Sequence, residues 1–298
     1  MSMKTLPGTI YHYTSADGLH GILSSGILYF TDSLFLNDRS ERKNFYRILR
    51  ECLKGWDSPL SRELAERYFG RQGYVLRSLG EPDPSDRTAS RYFVLSCSEE
   101  QDSLPMWNYY THSLHAAGYN LHFDTRRLIE VLNAQPVASA LTGGEKILCR
   151  RIVYENERKA EEIRSMLRVF SDRWNCRENP EERENLLYAL ERCFEKMSLF
   201  YKERAFSHEK EIRLVIPSGN EQIQRSPQEK GAPYQFRKVR GIQVPFLALE
   251  VLDKGTVITG VTAGPALDKE MAVRGAAYML HHYGFPKTCR VSSVPLRY

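Results

Sequence analysis

The chain has 298 residues, 42% hydrophobic and 27% charged, a globular balance that excludes disordered, collagen-like and coiled-coil classes. No apolar run approaches the ~20 residues that cross a bilayer. The start, Met1-Ser2-Met3-Lys4, lacks the apolar segment of an export signal. The net charge of +5 only weakly favours polyanions, and the six cysteines form no CxxC pair, which argues against a zinc ribbon or a disulfide scaffold. The expectation is a protein of a reducing cytoplasm with no membrane partner.

In chain order, Thr9-Ile10-Tyr11-His12-Tyr13-Thr14 is rich in β-branched and aromatic residues and predicts a strand. Ser15-Ala16-Asp17-Gly18 opens a short helix through Leu19, Ile22 and Leu23 that Gly26 stops, and a second strand covers 27–31. Residues 40–54 predict a helix with Phe45, Ile48, Leu49 and Cys52 on one stripe. Glu81-Pro82-Asp83-Pro84-Ser85-Asp86 is a loop. Residues 91–98 form an apolar run with a polar tip, the pattern of a buried central strand whose end emerges at a site. Further strands are expected over 119–124, 149–154, 211–217, 255–261 and 289–294, with a helix from Pro265 to about Tyr283. Residues 155–206 differ: Ile163, Leu167, Phe170 and Trp174, then Leu186, Leu190, Phe194 and Met197, recur at helical spacing around Asn179-Pro180. The whole predicts a single α+β domain over 1–298, a mixed sheet of seven or eight strands with a helical hairpin inserted at about 155–206.

Phosphate-binding GxxxxGK[ST] and GxGxxG loops, an HExxH pair and a GxSxG elbow are all absent. His281 and His282 are adjacent on a helix and diverge, while His112, His115 and His122 have no Cys or carboxylate at ligand spacing, so no metal is expected. Three other pieces remain. His12, in the first strand, shares a face with Ile10 and Thr14; by itself it reads as a satisfied strand histidine. Ser96 and Ser98 point one way with Cys97 opposite, and the following Trp107, Tyr109 and Tyr110 are either a core wedge or a platform for a flat ring. Glu209, Glu211 and Arg213 alternate with Ile212, Leu214 and Ile216, which reads either as a solvated edge strand with an in-line ion pair or as a carboxylate oriented by Arg213 toward a site.

In this chain order, a strand His, a strand ending Ser-x-Ser and a Glu-x-Glu leading into a strand resemble the ADP-ribosyltransferases, at spacings of about 85 and 110 residues. The chain departs from the arginine-specific class in having His12 in place of Arg and Cys97 within the Ser-x-Ser. The string Tyr11-His12-Tyr13-Thr14-Ser15, Leu36-Asn37-Asp38, Glu41, Ser96-Cys97-Ser98-Glu99, Met106-Trp107, Glu-x-Arg and a late Ser292–Arg297 stretch also resembles an uncharacterised bacterial family. The transferase resemblance implies an ADP-ribosyltransferase-like fold and NAD as substrate. It also implies a macromolecular acceptor, protein or nucleic acid, and the role of a bacterial toxin or antiphage effector. Glu211 would face the cation that develops as the nicotinamide–ribose bond breaks, and Glu209 would serve the acceptor. His12 and Thr14, beside Tyr13, would meet ribose; Ser96, Ser98, Trp107 and Tyr110 would hold the nicotinamide side; Arg213 would orient the carboxylate. Two alternatives are a nucleic-acid-binding or RNA-processing module using Arg213 and the basic run 237–240, and a non-catalytic defence sensor or partner protein.

Overall fold

The computed structural model describes residues 6–36, 40–70, 91–111, 118–218, 234–251, 254–285 and 288–295, with positions 137, 139–141, 143, 144 and 267 excepted, and gives the backbone alone for 40–42 and 254. Asn37, Asp38, the 81–86 loop, His112, His115 and Arg297 lie outside the described residues, as does the Glu41 side chain. The chain divides into two compact units, one of Met1–Phe35, Ser90–Arg151 and His208–Tyr298, the other of Leu36–Ala89 and Ile152–Ser207.

The first unit holds the sheet: β1 (Thr9–Thr14), β2 (Ile27–Asp32), β3 (Arg91–Ser98), β4 (Tyr119–Asp124), β5 (Leu148–Arg151), β6 (Glu211–Ser218), β7 (Tyr234–Val239), β8 (Ile242–Glu250), β9 (Ile258–Ala263) and β10 (Cys289–Val291). Alternation sends Ile10, Phe93, Leu95, Cys97, Ile212, Leu214 and Ile216 to one face. There they pack with Leu19 and Leu23 of α1 (Ala16–Ser25), Leu128 and Leu132 of α5 (Thr125–Asn133), and Leu280 of α8 (Lys269–His282). Each such side chain contributes roughly 1.5–3 kcal/mol by leaving water. The Ser15 hydroxyl caps α1 by accepting from the Gly18 amide, and Gly26, left-handed at φ 70°, closes it.

The pairing around β3 positions everything else. One edge of β3 is taken by β6 in unbroken antiparallel register from Arg91↔Ser218 to Ser98↔Glu211. The other edge is shared: β1 joins it at Tyr11↔Ser98, and β2 joins it at Thr31↔Val94 and Asp32↔Phe93. Both run antiparallel to β3, so β1 beyond Tyr11 and β2 before Thr31 compete for the same backbone groups. Each turns away instead, β1 to β4 and β2 to β8, and Leu95–Cys97 pairs with neither. The sheet therefore splits into a fissure at Ser96.

Two strands escaped the sequence reading, β7 and β8. They form a hairpin whose turn is Arg240-Gly241, with φ of 49° and 84°. An arginine in the left-handed region is not the Asn-Gly or Asp-Gly signal by which such turns are recognised, so the basic run masked the hairpin. Near the C-terminus, residues 254–257 form a helical turn, so β9 starts later than expected, at Ile258.

The second unit is helical. The helical hairpin is present, as α6 (Asn156–Asn175) and α7 (Pro180–Ser198), with Asn179 capping α7 and Pro180 in its first turn. Its apolar stripe, however, shares one core with α2 (Ser40–Lys54) and α3 (Pro59–Phe69), through Phe45, Leu49, Leu60, Leu64, Ile163, Leu167, Leu190 and Phe194. Two amphipathic pairs far apart in sequence thus complete each other. Lys159 is fully buried there, its ammonium donating to the Lys202 carbonyl at 2.8 Å and to Asn44 Oδ1 at 3.2 Å.

Phe194 is fully buried in this helical core, whereas Val169 on α6 is 47% exposed. Phe194→Ala is expected to destabilise the helices by about 3–5 kcal/mol and Val169→Ala by less than about 0.5 kcal/mol, read as shifts in the urea midpoint of the helical circular-dichroism signal.

Candidate functional site

The second face of the sheet, opposite the apolar core, is polar beside the fissure. Tyr11, Ser98 and Glu211 form one row across β1, β3 and β6, and Ser96 and Arg213 form the next. Over this face lies α4 (Leu104–Tyr110), whose Met106 and Trp107 are buried against Tyr13.

Glu211 and Arg213 are 5% and 2% exposed, and the guanidinium forks the carboxylate, Nε to Oε1 at 2.7 Å and Nη2 to Oε2 at 3.1 Å. Both readings of the alternating pattern contained this Glu211–Arg213 pair. It is not an edge-strand pair, because β6 lies between β3 and β5 and is buried along its whole length. Glu209 does not share the strand. It ends the 3-10 turn Arg204–Glu209, and Lys210, at φ 41°, redirects the chain before β6 begins. Glu209 is nonetheless buried beside Glu211: its Oε1 accepts from the Tyr110 hydroxyl at 2.9 Å, and burial, then the charges of Glu209 and Glu211, push the Tyr110 pKa up.

Ser98 holds this arrangement through its hydroxyl, which donates to the Glu209 carbonyl at 2.7 Å and accepts from the Glu100 amide at 3.0 Å. It is fully buried and positions the Glu209 turn. Ser96 is half-buried, and its carbonyl, left open by the splitting of β1 and β2, accepts from His12 Nδ1 at 3.0 Å. The carbonyl fixes the tautomer, because only Nδ1–H can donate to it, and leaves Nε2 as an acceptor. Burial lowers the His12 pKa, the bond to Ser96 opposes this, and the nearby Arg237 charge lowers it again. His12 lies opposite Leu121 and near the Phe123 ring, so its side chain leaves the sheet on the opposite side to Tyr11 and Glu211 and turns into the fissure.

Tyr13 and Trp107, both expected to meet a ligand, have their polar atoms bonded within the protein. The Tyr13 hydroxyl donates to the Glu100 carbonyl at 2.7 Å and accepts from the Ser103 amide at 3.1 Å. Trp107 is 3% exposed, its indole donating to Asp102 at 2.8 Å and its ring held so close to Gly264 that any Cβ there would lie 2.7 Å from it. Of the two earlier readings, the wedge is the one realised for Trp107. Thr14 packs its hydroxyl against Gly18, where an added Cβ would come within 1.9 Å. His122 donates or accepts with Thr262 Oγ1 at 2.8 Å, and burial, aided by Arg290, lowers its pKa to about 4. Among the described residues no group of three His, Cys, Asp or Glu side chains could hold a metal ion.

Sequence reasoning named Arg237 only as part of the basic run 237–240. Its guanidinium lies 5.6 Å from the Tyr29 ring centroid and 5.7 Å from that of Phe246, with Nη2 donating to Thr31 Oγ1 at 2.8 Å. Its position in a basic run was visible, but its partners come from β2 and β8, which nothing local connects to it.

Residues 106–214 match a family described as proteins of unknown function, DUF2971; the match runs from α4 into β6 and includes Tyr110, Glu209, Glu211 and Arg213. No curated protein and no solved structure matches the chain.

Asp102 anchors α4 to the chain end, accepting from Trp107 Nε1, from Ser292 Oγ at 2.6 Å, and from both the amide and hydroxyl of Ser293 at 2.7 Å. Partial burial pushes its pKa up, but these donors together outweigh that and hold the carboxyl below its ordinary 3.8. Its stabilising contribution is therefore complete above 3.8 and lost as pH falls through the lower folded-state value. Asp102→Asn is expected to cost about 1–3 kcal/mol at neutral pH and to flatten this acid limb, measured by urea denaturation at pH 7 and pH 3.

Proposed function

We propose that the protein is an ADP-ribosyltransferase that cleaves the nicotinamide–ribose bond of NAD and transfers ADP-ribose to a macromolecule. The observation that carries this reading is the row Tyr11–Ser98–Glu211, in which the histidine-bearing strand, the Ser-x-Ser strand and the glutamate-bearing strand lie side by side at a split in the sheet. These three pieces are 84 or more residues apart in sequence, so their adjacency is a property of the fold.

In this reading the C1′–N bond breaks, its electron pair leaves with nicotinamide, and the positive charge passes from the pyridinium to the ribose as an oxocarbenium-like cation. Glu211, held rigid and shielded from water by Arg213, supplies a preorganised negative charge. The acceptor then attacks C1′, and Glu209, oriented by Tyr110, takes the proton it releases. His12, neutral with Nε2 as an acceptor, receives a ribose hydroxyl. A phosphate-binding role for Arg213 is disfavoured, since it is 2% exposed and commits two donors to Glu211. The exposed Lys238 and Arg240 of the hairpin make nucleic acid one acceptor class to assay beside protein.

Incubation with NAD and cell extract is expected to release nicotinamide and to label the protein or the nucleic-acid fraction; no nicotinamide release from NAD in any fraction would end this reading. Glu211→Gln is expected to reduce turnover by about 10²–10³, or roughly 3–4 kcal/mol of transition-state stabilisation. Because Glu211 and Arg213 are a buried ion pair, removing one of the two charges is also expected to cost about 3–5 kcal/mol of stability. The double variant Glu211→Gln/Arg213→Met removes both charges and is expected to recover much of the thermal stability while turnover stays low. Full turnover in either folded variant would remove Glu211 from the chemistry. Glu209→Gln is expected to lower transfer while sparing slow NAD hydrolysis.

A further inference from the structure

The feature of this region that the reading above leaves unused is Arg237. Its side chain starts on β7, opposite Val244 of β8, and crosses the Phe246 ring to reach Thr31 of β2. Thr31 is also the residue through which β2 rejoins β3, opposite Val94, so the guanidinium lies at the margin of the fissure. On the far wall stands His12, close enough to feel the Arg237 charge. Two aromatic faces and one hydroxyl fix the guanidinium plane, yet they supply no negative charge. Its Nε is buried without a hydrogen-bond partner, and no carboxylate forms an ion pair with it among the described residues. A partly desolvated, immobilised cation without a counter-charge is costly for the folded state. Arg213, the buried arginine of β6, has its carboxylate.

We propose that Arg237, with Thr31, is an anion receptor that takes the diphosphate of a nucleotide lying in the fissure between β1 and β2. A planar guanidinium presents parallel N–H donors that match two phosphate oxygens, and its terminal nitrogens, which give one donor to Thr31, keep the others for such a fork. A diphosphate bridges two nucleoside halves, so a receptor on the β2 wall holds the ligand's middle while one ribose reaches His12 on the β1 wall. The assignment of a dinucleotide rests on the transferase reading; the anion receptor itself rests on the surroundings of Arg237.

The test is calorimetric titration of the full chain with inorganic pyrophosphate, ADP-ribose and NAD, at low salt. Wild type is expected to bind all three. Arg237→Met, whose apolar side chain fits between Tyr29 and Phe246, is expected to keep its melting temperature and lose at least about tenfold in affinity for each. Arg237→Lys is expected to recover only part of that loss, since an ammonium cannot fork. Binding of pyrophosphate and ADP-ribose through Arg237 without any turnover of NAD would uphold the receptor and end the transferase reading. Turnover of NAD with equal ADP-ribose affinity in wild type and Arg237→Met would do the reverse. Absence of binding by wild type to all three ligands, or binding of an oligonucleotide with no response to ADP-ribose, would overturn the proposal.

Discussion

One edge of a strand can satisfy one neighbour along any given stretch, and β3 has two candidates for a single edge. With β6 occupying the other side over the full length of β3, β1 and β2 must divide what remains. The division leaves the Ser96 carbonyl open, and an open backbone acceptor in a partly buried place needs a donor. The imidazole of His12 supplies it. The same splitting parts the β1–β4 side of the sheet from the β2–β8 side and leaves between them the gap that Ser96, His12, Thr31 and Arg237 border.

Beside this gap the two faces of the sheet do different work. The apolar face, from Ile10 through Leu95 to Ile216, joins the strands to α1, α5 and α8 and accounts for the stability of the unit. The polar face carries buried charge, which burial alone would oppose. It persists because each group is answered: Arg213 forks Glu211, Tyr110 donates to Glu209, and Ser98 ties the Glu209 carbonyl to β3. Such a network fixes geometry more than it adds stability, since a buried ion pair gains little over well-packed apolar side chains. Rigid placement of a carboxylate is a requirement of electrostatic catalysis, and it is the property this network confers.

Around it, side chains that carry recognisable chemistry serve as supports. Trp107 and Tyr13, aromatic and near the site, are buried against each other at 4.6 Å between ring centroids and have their polar atoms committed to Asp102, Glu100 and Ser103. Composition cannot distinguish such a wedge from a stacking platform, because both need a flat ring with a polar tip. The difference lies in what surrounds the ring, here Gly264 and the Asp102 carboxylate with its donors from Ser292 and Ser293.

Periodicity in the sequence was enough to determine the apolar faces of β1, β3 and β6, the capped α1, the α6–α7 hairpin and the pairing of Glu211 with Arg213 two residues on, because each depends on spacing of two to four residues. Residue type, not periodicity, singled out His12, the Ser96–Ser98 pair and Glu211, and nothing local specified that their strands are neighbours. The tertiary structure alone decided that Glu209 leaves the strand at Lys210, that His12 departs from the opposite face to Glu211, and that Arg237 reaches Thr31 across β8. It likewise decided that α6 and α7 share a core with α2 and α3. Each of these depends on pairing between segments tens to hundreds of residues apart, where local pattern specifies which face is apolar but not which neighbour will cover it.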